Sequence, residues 1–165
     1  MANFTITLNY LIVNDPAGNP QPHMTSTGIA AATSETVSET NSTSVTANGD
    51  INLAASDTAT LKFNLGNDDN WAITSVQLLD QDRTDWGGSE GNKALDDDEE
   101  LDYPDVDQQD GTVLAPNSST MSISISDANA KNKTVNYRVA FKNAVSGAII
   151  YSDPRIRDGG GAGNN

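Results

Sequence analysis

Two runs of aspartate share the spacing of a ligand set: Asp80, Asp82 and Asp85, then Asp105, Asp107 and Asp110, each Asp-x-Asp-x-x-Asp with glycine close behind. Calcium takes about six to eight hard oxygen ligands, which clustered carboxylates on a turning segment can supply. The spacing departs from an EF-hand, whose third ligand comes one residue earlier, so the expectation is a Ca²⁺ site of another kind. Both runs lie in residues 80–111, which hold 13 acids against only Arg83 and Lys93. At physiological salt, exposed charges more than about 8 Å apart are largely screened. The same stretch could therefore stay solvated without a metal, and both readings stand. Trp86-Gly87-Gly88 directly follows the first triplet. With Asp85 and Asn92 nearby in sequence, Trp86 could give a glycan a stacking platform flanked by hydrogen-bonding groups. It could equally cover one end of the core.

Other chemistry finds little support. The chain has no cysteine, which excludes disulfides, thiol nucleophiles and zinc–thiolate sites. Its one histidine, His23, sits in a proline-rich segment with no fixed partner, so a Ser–His–acid triad is not expected. Paired carboxylates can hydrolyse glycosides, but among so many acids some pair meets that distance by chance. No phosphate-cradling glycine loop occurs. The expectation is a protein that is not an enzyme.

The net charge of −14 repels nucleic acid and anionic lipid, so neither is expected as a partner. No apolar run approaches the roughly 20 residues a membrane span needs. "MANFTITLNYLIV" lacks a basic start and alternates where a signal peptide is continuous, which suggests a cytoplasmic product or export without a cleaved leader. The sequons at Asn3, Asn41, Asn117 and Asn132 are what so much Asn, Ser and Thr produces by composition.

The elements that must carry these residues are strands. Phe4, Ile6, Leu8, Tyr10 and Ile12 alternate with polar residues, the period of a half-buried strand. Ala59, Leu61, Phe63 and Leu65 repeat it, as do "WAITSVQLL", Met121, Ile123 and Ile125, then Val135, Tyr137, Val139 and Phe141, and finally "GAIIYSDPRI". "NDPAGNPQP" reads as a loop, and the Thr-rich stretch after it as edge strands or an ordered loop. Asn48-Gly49 predicts a two-residue hairpin turn within 44–54. About eight strands separated by turns imply an all-β fold, a two-sheet antiparallel β-sandwich of jelly-roll or Ig-like type. Residues 1–158 would form one domain with an acidic loop at 80–111, and the Gly-rich tail 159–165 would be flexible.

The strands "ITLNYLIVND", "NGDINLAASDTATLKFNL" and "YRVAFKNAVSGAIIYSDPRI", the last closing on Asp153, Pro154, Arg155 and Ile156, resemble the bacterial PixA/AidA inclusion-body protein family. That resemblance implies a β-sandwich without enzymatic activity, made in the bacterial cytoplasm, given to ordered self-association and in some members to carbohydrate binding. The acidic insert and glycine-rich tail depart from the family pattern, and no site residue is carried over. Two functions remain in view. One is a non-catalytic binding protein, carbohydrate-binding and calcium-stabilised at the acidic stretch. The other is a self-assembling structural subunit, a homo-oligomer growing into an inclusion body or filament.

Overall fold

Strands form where side chains alternate, and the pairing follows that alternation. The computed structural model describes residues 3–31, 43–53, 57–66, 70–80, 101–102, 112–127, 134–152 and 155–158. They contain twelve strands: β1 (Asn3–Asn14), β2 (Pro20–Ala31), β3 (Ser44–Val45), β4 (Ile51–Leu53), β5 (Thr58–Leu65), β6 (Trp71–Asp80), β7 (Leu101–Asp102), β8 (Thr112–Ser118), β9 (Thr120–Asp127), β10 (Thr134–Asn143), β11 (Ile149–Ser152) and β12 (Arg155–Asp158). No helix occurs among the described residues.

One sheet has five strands in the order β2-β1-β5-β9-β7; call it sheet A. Sheet B has seven, in the order β3-β4-β12-β10-β6-β8, with β11 beside β10. Eight of the ten pairings are antiparallel, as the alternation implies, but β1 with β5 and β12 with β4 are parallel. A parallel neighbour requires a crossover. Between β1 and β5 the chain supplies one by passing through β3 and β4 in the opposite sheet.

The sheets meet face to face over one core. Phe4, Ile6, Leu8, Tyr10, Leu61, Phe63, Ile123 and Ile125 come from sheet A, and Ile51, Leu53, Ile73, Val76, Tyr137, Val139 and Phe141 from sheet B. Two ring pairs cross the interface: Tyr10 with Phe141, centroids 5.3 Å apart, and Phe63 with Tyr137, 5.9 Å apart, both tilted. Each such side chain contributes roughly 1.5–3 kcal/mol by leaving water. Trp71 packs against this core while staying partly exposed.

Several expectations change in detail. The loop read at "NDPAGNPQP" shrinks to a turn over 15–19, and Pro20 and Pro22 belong to β2. Proline is tolerated there because β2 is an edge strand. The hairpin near Asn48 exists, but Gly49 N donates to Thr46 O at 3.0 Å, which puts Ala47 and Asn48 at the corner and Gly49 after it with φ 86°. The Asp15 turn repeats that plan, with Gly18 N donating to Asp15 O and Gly18 at φ 87°. In each, only the glycine needs the left-handed region. The last strand read at "GAIIYSDPRI" is two described strands in one register: Ser152 of β11 faces Val139 and Arg155 of β12 faces Asn136, both along β10. The tail 159–165 lies outside the described residues.

Candidate interaction surface

β2 is hydrogen-bonded to β1 on one side and to no described strand on the other. Its twelve residues, PQPHMTSTGIAA, include no Asp, Glu, Lys or Arg. The other free edges among the described strands are shorter: two residues each in β3 and β7, four in β11, and seven in β8, which contains Pro116. Proteins usually blunt a long edge with charge or proline, because unpaired N–H and C=O groups invite another strand.

The two halves of this edge differ. Asp15 N donates to Asn19 O at 2.8 Å, fixing a bonded pair at the turn. Antiparallel alternation then gives Val13–Gln21 and Leu11–His23 the bonding positions and turns the ring nitrogens of Pro20 and Pro22 away from β1. That half is closed, since proline has no N–H to offer. Beyond the bulge at Asn9/Tyr10 the phase is set by two other bonds: Gly66 N donates to Tyr10 O at 2.8 Å, and Thr25 Oγ1 to Asn9 O at 3.2 Å. Tyr10 thus serves β5 and Asn9 serves β2. It follows that Ser26, Gly28 and Ala30 bond β1, while the backbone groups of Thr27, Ile29 and Ala31 point outward. Ile29 lies opposite the fully buried Ile6, on the core-facing side of sheet A, yet it is 42% exposed. β3 and β11 approach β2 from sheet B without pairing with it.

The outer face of sheet A is polar. Rows of polar side chains cross β1, β5 and β9: Thr5–Thr60–Ser124, Thr7–Lys62–Ser122 and Asn9–Asn64–Thr120. In the last row Asn64 Nδ2 donates to Asn9 Oδ1, and Asn9 Nδ2 to Ser26 Oγ, each at 2.9 Å. At one end of the sheet Thr58 Oγ1 bonds Asn3 Oδ1. At the other, Asp15 accepts Ala17 N and Asn19 N on Oδ1 and Asn19 Nδ2 on Oδ2. These bonds, the Asn19 backbone N–H foremost, hold its carboxyl below the usual carboxylate range.

Inside the sandwich two phenols sit side by side. Tyr137 Oη donates to Gly49 O at 2.7 Å, fastening the β3–β4 turn to β10. Tyr10 Oη is buried with no hydrogen bond of good geometry, its polar neighbours being Ser152 and Tyr137. Burial pushes both phenols up, and for Tyr137 the nearby Tyr10 and Asp50 push in the same direction.

Of the residues singled out for chemistry, Asp80 ends β6, opposite Val135. Asp82, Asp85, Trp86, Asn92, Asp105, Asp107 and Asp110 lie outside the described residues. Part of the acidic stretch is a strand after all: Leu101 and Asp102 pair with Asp127 and Ser126 of β9. The stretch therefore leaves sheet B at β6, touches the edge of sheet A at β7 and returns to sheet B at β8. His23 is exposed on β2 opposite Leu11.

No protein-family model matches the chain, and no curated protein matches its sequence. Among solved structures it is similar to the crystal structure of the inclusion body protein PixA from Burkholderia cenocepacia J2315, at 11% identity and a TM-score of 0.41, over 96% of this chain and 95% of that one. That protein represents the family whose strand pattern the sequence resembles.

Proposed function

We propose that this chain is a non-catalytic structural subunit that associates with copies of itself, with the acidic stretch as an outer, solvated surface. The observation that supports this reading is the β2 edge, long and without a charged side chain. Most of the net charge is elsewhere: residues 80–111 hold 13 acids and two bases, leaving the rest of the chain close to neutral at an overall −14. Self-repulsion at the edge is correspondingly small. Light scattering and electron microscopy across a concentration series test the reading. Growth into filaments, crystals or dense particles is the expected result, and a strictly monomeric species at every concentration would sink it.

A second reading replaces the solvated surface with a Ca²⁺ site, supported by the repeated carboxylate spacing of Asp80, Asp82, Asp85 and Asp105, Asp107, Asp110. A ligand that binds only the folded form raises its stability by mass action. Millimolar Ca²⁺ should therefore raise the melting temperature and a chelator lower it, with Asp82→Asn and Asp107→Asn blunting the response. Identical melting curves with and without chelator would retire the calcium site. Glycan recognition at Trp86, Asp85 and Asn92 predicts a glycan-array signal that Trp86→Ala removes, and a blank array counts against it.

A further inference from the structure

We propose that the joint between copies is the open half of β2, paired antiparallel with β2 of a second copy about a two-fold axis at Ile29; this rests on the assembly reading and specifies its contact. Thr27, Ile29 and Ala31 present their backbone groups outward in a symmetric set of three. In the two-fold arrangement Ile29 faces its own copy and Thr27 faces the copy's Ala31. The prolines confine pairing to this half, because Pro20 and Pro22 occupy two of the three outward positions of the other, leaving only Met24 beside the bulge.

Three observations favour a second copy over a foreign strand. The edge has no charge, so pairing with itself places no like charges opposite one another. Ile29 faces the core side of sheet A and is still 42% exposed, and the two-fold covers it with an identical side chain. Among the described residues the three open positions beyond the bulge are centred on that residue, so one register satisfies both strands. Joined this way, the five-stranded sheets of two copies become a continuous sheet.

Proline scanning reads the phase of the edge directly. Ile29→Pro and Thr27→Pro remove only outward N–H groups, and should abolish assembly while leaving the melting temperature of the monomer within a few degrees of wild type. Gly28→Pro removes a bond to β1 and should instead lower the melting temperature markedly. Ile29→Lys places a charge at the joint and serves as the second test should a proline variant fail to fold.

The chain has no cysteine, so Ile29→Cys gives one thiol per molecule. Bonded antiparallel partners lie about 5.5 Å apart at Cα, within disulfide range, so mild oxidation should convert the variant to a covalent dimer. If the wild type assembles but Ile29→Pro and Ile29→Lys assemble equally well and Ile29→Cys does not cross-link, the joint lies elsewhere and the assembly reading survives. If the wild type never assembles, that reading fails as well.

Discussion

The two faces of sheet A are built from the same strands and differ in almost everything else. Phe4, Ile6, Leu8, Tyr10, Leu61, Phe63, Ile123 and Ile125 fill the interior, while one residue along each strand stand Thr5, Thr7, Asn9, Thr60, Lys62, Asn64, Ser122 and Ser124. The inner face is apolar and packed against a second sheet, so each atom there is felt; the outer face exchanges hydrogen bonds with water, so little is lost when one is removed. Stability and surface chemistry are thus assigned to alternate positions of a single segment.

The sharpest test of that division is Phe63→Ala, which should cost about 3–5 kcal/mol in chemical denaturation, because Phe63 is fully buried and its ring lies against Tyr137. Tyr137→Phe comes next. It leaves the Gly49 carbonyl without its donor and should cost about 1–3 kcal/mol. Tyr10→Phe removes a buried hydroxyl that has no good bond, and should be neutral or stabilising. Equal losses at Tyr10 and Tyr137 would break the contrast between them.

Alkaline unfolding gives the next effect. Both phenols are raised above 10.0 in the fold, so their contribution is complete below the unfolded value and is lost as pH climbs from there toward the folded one. Stability should fall above about pH 10 by roughly 1.4 kcal/mol per pH unit for each tyrosine, and each Phe variant should remove one share of that slope. The smallest effects belong to the outer face: Thr60→Ala and Ser124→Ala should stay within about 0.5 kcal/mol of wild type. A larger loss there would mean that the polar rows contribute to folding.

Alternation made the interior legible. β1, β5, β9 and β10 could be read residue by residue, including which side faces in. What the sequence hid has a common cause, since an edge strand obeys looser rules than a central one. Pro20 and Pro22 read as loop, although at an edge a proline costs no ladder bond when its nitrogen faces out. β8, another edge, was obscured in the same way by Pro116. β7 is two residues long, too short for any period to show. The absence of charge from 20–31, in a chain of −14, was visible from the start, but it gains meaning only once that segment is known to lack a neighbour. The carboxylate spacing at Asp82, Asp85, Asp105, Asp107 and Asp110 remains a reading of sequence alone.

The parallel pairing of β12 with β4 also sets an order of events during synthesis. Ile51 and Leu53 find their backbone partners in Ile156 and Asp158, roughly a hundred residues later, so the β3–β4 hairpin leaves the ribosome well before its neighbour exists. In the interval nothing but the hairpin's own short pairing and its apolar side chains can hold it, and a nascent chain in that state exposes unpaired strand to its surroundings. Closure of the larger sheet waits for β12, which joins β4, made long before, to β10, made just ahead of it.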